Sequence, residues 1–394
     1  MSTVTSAERN SLWVMALAGF SSMVSMRMCD PMLVVLSQEF QVSTGEASRV
    51  VSAFAVAYGV LQLFYGPLGD RFGKLRVITL AALACSVFSA LTSLAPNLSV
   101  LVFMRALMGA AAAGIIPLTL AWIGDQVAYD RRQETLARLM GATVSGMMVG
   151  LWFGGFAAEN LGWRTAFAVV SVLFAAAALL LVRKLRRMPA TAPTEASAPG
   201  LLASFGNTFK LLGNTRVRQV LTVTAIEGAL VFGAMAFIPT HLHLQYDMSV
   251  VFAGTVMMLY GVGGLIYSQL ARRWLGWLGG ERGLVRTGAS CIVLGLLTLA
   301  WTHQPVLGML GCFATGFGFY MMHNTLQTQA TQMAPHARGT AVTLFACMLF
   351  FGQSAGVLVM AQSVDQGWLP LAFSLCAVGV AALGWRIHRL VGQH

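Results

Sequence analysis

Twelve apolar runs follow one another along this chain with short polar turns between them, and that alternation decides the fold class. The runs cover about 12–36, 47–64, 77–94, 100–123, 139–158, 165–182, 220–238, 251–270, 284–300, 306–328, 340–359 and 369–385. A helix needs roughly 20 apolar residues to cross the hydrocarbon of a bilayer. Backbone in lipid must satisfy its own hydrogen bonds, which leaves helices and closed barrels, and these runs are twice the length of a barrel strand. The expected fold is therefore an all-α membrane protein of twelve transmembrane helices. Composition agrees: 57% of the 394 residues are hydrophobic and 10% are charged, against about 25% charged in a soluble domain. A soluble enzyme on a single anchor is excluded.

The chain also divides in two. After Arg183-Lys184-Leu185-Arg186-Arg187 comes a Pro/Ala/Thr stretch, 188–200, with little apolar surface to bury, which reads as a linker. Residues 201–212 have helical apolar spacing and read as a surface helix. The expected units are 1–183, a six-helix bundle; 184–219, a cytoplasmic linker; and 220–394, a second six-helix bundle. An internal repeat at a constant offset of 202 supports a pseudo-symmetric pair: Tyr58/Tyr260, Gly59/Gly261, Val60/Val262, Leu63/Leu265, Tyr65/Tyr267, Leu68/Leu270 and Arg71/Arg273 are identical. Two related halves are the layout of a transporter that rocks around a central site.

Charge sets the expected orientation. Of the 25 Lys and Arg, 21 fall in the termini, the linker and alternate loops, which puts both termini in the cytoplasm by the positive-inside rule. The net charge of +11 is spread over separate loops rather than gathered into a nucleic-acid surface, so no nucleic-acid partner is expected. The six cysteines lie in apolar runs without Cys-x-x-Cys spacing, and His241 and His243 lack a third ligand, so no metal is expected. No Gly-x-x-x-x-Gly-Lys-Ser/Thr loop is present, which disfavours ATP-driven transport. No cofactor is expected.

The most informative short string joins the second and third runs: Gly66-Pro67-Leu68-Gly69-Asp70-Arg71-Phe72-Gly73-Lys74-Leu75-Arg76. It reads as a tight loop, with Gly69, Gly73 and Pro67 permitting a sharp reversal and Asp70 free to pair with basic side chains across the cytoplasmic mouth. An acid adds little to a topology signal, so its presence points past orientation alone. The string resembles the loop signature of the major facilitator superfamily of secondary transporters, at Gly66, Leu68, Asp70, Arg71, Gly73, Lys74 and Arg76, with Gly69 in the small-residue place. The resemblance implies a cytoplasmic gate there. In the fourth run, Arg105 before Gly109 resembles the family's arginine–glycine motif, which implies a part in proton coupling. In the fifth, Gly146, Gly150, Gly154 and Gly155 resemble the glycine-rich motif of the family's antiporters, although Leu151 stands at the usual proline position. The nearest resemblance is to the twelve-helix drug:proton antiporter-like group.

Polar residues inside apolar runs are costly in lipid and mark candidate sites. Arg27 and Asp30, three apart in the first run, share a helix face, and Pro31 removes an intrahelical bond beside them. They form either a titrating site or a fixed pair that only sets packing. Glu227 in the seventh run is a second acid of this kind. Tyr58, Tyr260, His323, Asn324, Gln327 and Gln353 are the remaining candidates for a substrate cavity, with His323 and Gln327 on one face. The expectation is a proton-coupled secondary transporter of a bacterial inner membrane, acting as a monomer with a small-molecule substrate, protons and the bilayer as partners. Export of small amphipathic organic compounds is the first reading, and import of a small organic anion the alternative. A sensor on a transporter scaffold is the reading without transport.

Overall fold

The structure, a computed structural model, describes residues 6–187 and 210–391. These are helical almost throughout: α1 Ser6–Arg27, α2 Leu33–Phe40, α3 Thr44–Ala47, α4 Arg49–Phe72, α5 Lys74–Ser93, α6 Leu98–Ala112, α7 Ile115–Gln126, α8 Tyr129–Asn160 and α9 Trp163–Arg187. The second half holds α10 Thr215–Glu227, a π turn at Gly228–Phe232, α11 Gly233–Tyr246, α12 Val250–Trp277, α13 Glu281–Trp301, α14 Pro305–Gln332, α15 Arg338–Asp365 and α16 Leu369–Val391. Among the described residues, eleven helices are long and apolar enough to cross a membrane, not the expected twelve. The shortfall falls in the first run, which is divided between α1 and the eight-residue α2. The chain is an all-α protein that crosses the membrane many times.

Three runs that look continuous in sequence are interrupted. The first breaks at 28–32, between α1 and α2, where Asp30 N–H and Met32 N–H bond back only three residues, to the Arg27 and Cys29 carbonyls, at 3.2 and 3.1 Å. Pro31 has no N–H to continue the ladder. The fourth breaks between α6 and α7, ahead of Pro117, which cannot donate to the Ala113 carbonyl. The Tyr65 hydroxyl donates to the freed carbonyls of Ala110 and Ala111, each at 3.1 Å. The seventh holds its interruption as the π turn directly after Glu227.

Other boundaries also move. The seventh run does not stop at Ile238; α11 continues through Pro239 to Tyr246. The expected loop at 65–76 is mostly helix, with Gly66, Pro67 and Gly69 all inside α4. The reversal falls on Gly73 alone, whose φ of 87° suits glycine. Of the expected linker, 184–187 extend α9 and 215–219 open α10; residues 188–209, with most of the expected surface helix, lie outside the described residues.

Packing follows glycine. Within the first half, α1 lies against α8 and α9, α5 against α6 and α9, and α4 against α6. Gly146, Gly150 and Gly154 recur every four residues; the first two face the α1 carbonyls of Phe20 and Val24, and Gly154 faces that of Met28, the first residue of the break. A Cβ at Gly150 would stand 2.7 Å from the Val24 oxygen, so the two backbones meet with no side chain between them. The second half repeats the device: Gly352 and Gly356 of α15 face the carbonyls of Ala225 and Ala229. Contacts between the halves run along two seams, α8 with α12 and α4 with α15.

Candidate functional site

Two of the interruptions, at 28–32 and 228–232, occupy matching places in the two halves and face each other. The Arg27 guanidinium, at the edge of the first, lies 4.5 Å above the ring of Phe232, the last residue of the second. Pro31 of the first break approaches Gly254 of α12, where an added Cβ would come within 3.7 Å of its side chain. Broken helices free backbone polar groups, which is tolerable at membrane depth only against protein or a polar cavity. Buried ionisable side chains collect at the same level. Arg27 is 1% exposed, and Asp30 and Glu227 are fully buried.

The bonding within this group is incomplete. Arg27 Nη1 and Asp30 Oδ2 stand 3.5 Å apart, an ion pair too long for a good hydrogen bond. Arg27 Nε and both carboxylate oxygens of Asp30 are buried without a hydrogen-bond partner, as are one oxygen of Glu227, the Tyr260 hydroxyl and the Gln353 side-chain oxygen. Arg105 is held more firmly. Its Nε donates to the Val50 carbonyl at 3.1 Å and its Nη1 to the Ser25 carbonyl at 3.0 Å, above the Phe54 ring at 4.2 Å. Arg105 thus ties α1 to α4 one turn before the first break.

The other acid has a partner that the sequence does not reveal. Glu227 Oε2 lies 2.8 Å from His323 Nδ1, although 96 residues separate them. The imidazole stacks on Phe319, with centroids 4.9 Å apart and planes 18° apart, and tilts against Phe345 at 5.3 Å. Tyr58 and Tyr260 occupy related places, one against Phe350 across the seam at 4.6 Å and the other beside Phe319 at 5.9 Å. Gln353 is buried and Asn324 half-buried, whereas Gln327 is exposed and does not join His323 in a buried site. His241 and His243 each bond a backbone carbonyl, of Leu299 at 2.8 Å and Met248 at 2.6 Å.

The 66–76 string forms its ion pairs locally. Asp70 pairs with Lys74 at 3.3 Å, and Lys74 with Asp125 at 2.5 Å, which links α4, α5 and α7 of the first half. The expected pairing of Asp70 across the mouth is replaced by this local chain, because Lys74 opens α5 only four residues on, within easy reach. Arg71 lies over Phe72 at 5.4 Å, and Arg76 is exposed.

At the opposite end, two carboxylates that sequence reasoning missed cross between the halves. Asp365, at the end of α15, accepts from Gly45 N–H and from the Ser43 hydroxyl, both at 2.7 Å. Glu159, near the end of α8, accepts from Val251 N–H at 2.8 Å. Each half thus places one acid on the first turn of a helix in the other, where unpaired N–H groups and the helix dipole favour an anion. The only sequence signal is an acid at the close of an apolar run. Replacing Asp365 by Ala is expected to raise the labelling rate of a cysteine placed at buried Ser52 about fivefold, in a background without native cysteines, as the lost charged bonds let this end open. An unchanged rate would reduce Asp365 to a surface cap.

Residues 15–357 match the Major Facilitator Superfamily as a family. The chain belongs to it. Among relatives, the "uncharacterized MFS-type transporter YceJ" of Bacillus subtilis is 26% identical over 357 residues, 89% of this chain and 88% of its own. The "inner membrane transport protein YnfM" of Escherichia coli is 24% identical over 385 residues, 94% of this chain and 89% of its own. Among solved structures, the nucleoside transporter NupG superposes with a TM-score of 0.76 at 14% identity, over 99% of this chain and all of its own. A D-xylose-proton symporter gives 0.76 at 14% identity, over 96% and 98%. These structural likenesses concern the fold. Membership in the superfamily makes the chain a secondary transporter of small molecules and not an enzyme. The superfamily alone does not select one branch, so the drug:proton antiporter-like resemblance remains a matter of this chain's own residues.

Proposed function

We propose that this protein is a proton-coupled transporter of a bacterial inner membrane, exporting small amphipathic organic compounds by alternating access between two six-helix bundles, 1–183 and 220–394. Both termini and the 184–219 linker are cytoplasmic on this reading, and the segment 6–40 completes twelve spans. One observation carries it: helix breaks at 28–32 and 228–232 occupy corresponding positions in the two halves, each beside a buried acid, and meet across the centre. Paired interruptions of this kind mark the binding site of secondary transporters. Asp30 carries the coupled proton, and Arg27 is its counter-ion. Arg105 holds the first break against α4. Glu227 and His323 form a second polar pair on the opposite wall. Tyr58, Tyr260, Phe319 and Phe345 supply apolar surface for a flat, partly hydrophobic substrate.

A second reading has its own support. The Arg27 donors without a partner suit an organic anion, brought in together with a proton. Purified protein in liposomes separates the two. With an acidic lumen, an exporter working by antiport concentrates a permanently charged amphipathic dye such as ethidium inside, above protein-free liposomes. With an acidic exterior, a symporter concentrates an aromatic carboxylate instead. Transport of neither, under either gradient, overturns proton coupling for these substrate classes.

A further inference from the structure

A groove of about 1040 Å³ runs between α13 and α16, on the outside of the second half and away from the central site. Its chemistry changes along its length. At the end where α13 begins and α16 closes, its walls carry Arg282, Arg286, His388 and Arg389. One turn further along stands Ser290, and beyond it the walls are Val293, Leu294 and Ala381, with Trp385 between the two regions. The helices run antiparallel, so the basic start of one and the basic finish of the other gather at one membrane surface. The floor is tight: a Cβ on Gly384 would stand 2.5 Å from the Ala289 side chain.

The cations here have no acid of their own. Among the described residues, none of Arg282, Arg286 and Arg389 pairs with a carboxylate, and the nearest acid in sequence, Glu281, accepts from the Gln329 amide at 3.0 Å instead. The Arg389 guanidinium lies 3.7 Å above the Trp385 ring, and His388 Nδ1 is 3.4 Å from the Arg282 carbonyl. Three arginines without a carboxylate partner beside an apolar slot, with an exposed tryptophan between the two regions, match one kind of ligand: a phosphate head with an acyl tail. A soluble anion would use the cations and leave the apolar length of the groove without a purpose.

We propose that this groove holds an anionic phospholipid, its phosphate on Arg282, Arg286 and Arg389 and one acyl chain along Val293, Leu294 and Trp385. The inference needs the chain to lie in a bilayer and does not depend on the transport reading. Each basic residue near an anionic lipid surface strengthens attraction about fivefold.

The test is native mass spectrometry on the purified full chain in detergent, titrated with phosphatidylglycerol, phosphatidylcholine or inorganic phosphate. The wild type is expected to hold phosphatidylglycerol about tenfold better than phosphatidylcholine. The variant Arg282→Gln/Arg286→Gln/Arg389→Gln is expected to lose that preference. Arg272→Gln/Arg273→Gln, which removes charge from the same end outside the groove, is expected to keep it. Replacing the same three arginines by Lys preserves charge and is expected to keep most of it, which covers the case of a poorly folded Gln variant. Equal binding of the two lipids by the wild type overturns the proposal, as does an unchanged preference in the triple Gln variant. Displacement of phosphatidylglycerol by equimolar inorganic phosphate shows a free-anion site and overturns it as well.

Discussion

Asp30→Asn is expected to abolish gradient-driven accumulation while leaving a folded, inserted protein. One proton exchanged per substrate molecule lets a one-unit pH gradient sustain about a tenfold concentration ratio. The variant should fall to a ratio near one, because Asn cannot take up and release the proton. The physical basis is the geometry at the first break. Asp30 is fully buried, its two oxygens accept no hydrogen bond, and its ion pair with Arg27 is stretched to 3.5 Å. A pair formed only for packing would be expected to close to a short bidentate contact, since an imperfect buried pair does not recover its desolvation cost. Breaking such a pair can itself destabilise by about 3–5 kcal/mol, because a lone buried charge remains. The double variant Arg27→Gln/Asp30→Asn removes both charges and controls for that. Loss of accumulation in both variants, with melting temperature preserved in at least the double, fits a proton carrier. Normal accumulation in Asp30→Asn would remove Asp30 from the coupling step and leave Glu227, with His323 at 2.8 Å, as the other buried acid among the described residues.

How far the sequence reveals this arrangement differs by the kind of interaction. Apolar runs disclose helices because lipid penalises every unpaired backbone group, so the pattern is written in composition. Pro31 marks one interruption because the missing N–H belongs to the residue itself, whereas Pro117 does not stand out in its run, since Pro67 and Pro239 lie inside unbroken helices. The π turn after Glu227 has no such marker. It sits where Gly228 lets the Leu349 carbonyl approach, a property of two helices 121 residues apart that neither shows alone. Likewise Glu227 and His323 each stand out as polar residues in apolar runs, but their pairing depends on how α10 meets α14. The Asp365 and Glu159 contacts are less legible still, since their partners include backbone N–H groups, which every residue but proline carries. The 66–76 string shows the reverse case: its residues are conspicuous, yet its glycines and proline extend a helix and only Gly73 turns the chain.

Adjacent glycines in α8 are expected to behave differently when replaced by valine, and the difference separates folding from conformational change. Gly154 faces Met28, the residue directly after α1 in the same half, with the Met28 carbonyl carbon 2.8 Å from where a Cβ would stand. Gly155 faces Val250 at the start of α12, in the other half, with that carbonyl oxygen 2.6 Å away. Both obstacles are backbone, which cannot rotate aside as a side chain does. Gly154→Val therefore has to push α1 off α8 at the first break, and a cost of about 3 kcal/mol, the upper part of the range for overpacking, is expected. That should lower the melting temperature sharply or prevent accumulation of folded protein. On the proposed alternating-access reading, Gly155→Val meets an obstacle that moves away as a unit, because α12 belongs to the half that separates from α8 when this end opens. Its expected result is near-normal folding, a cysteine at Ser52 labelled about tenfold faster, and slowed transport because the closed state at this end is disfavoured. Equal thermal destabilisation by the two variants would mean that the α8–α12 contact is a fixed part of the core, and alternating access would have to open along another seam.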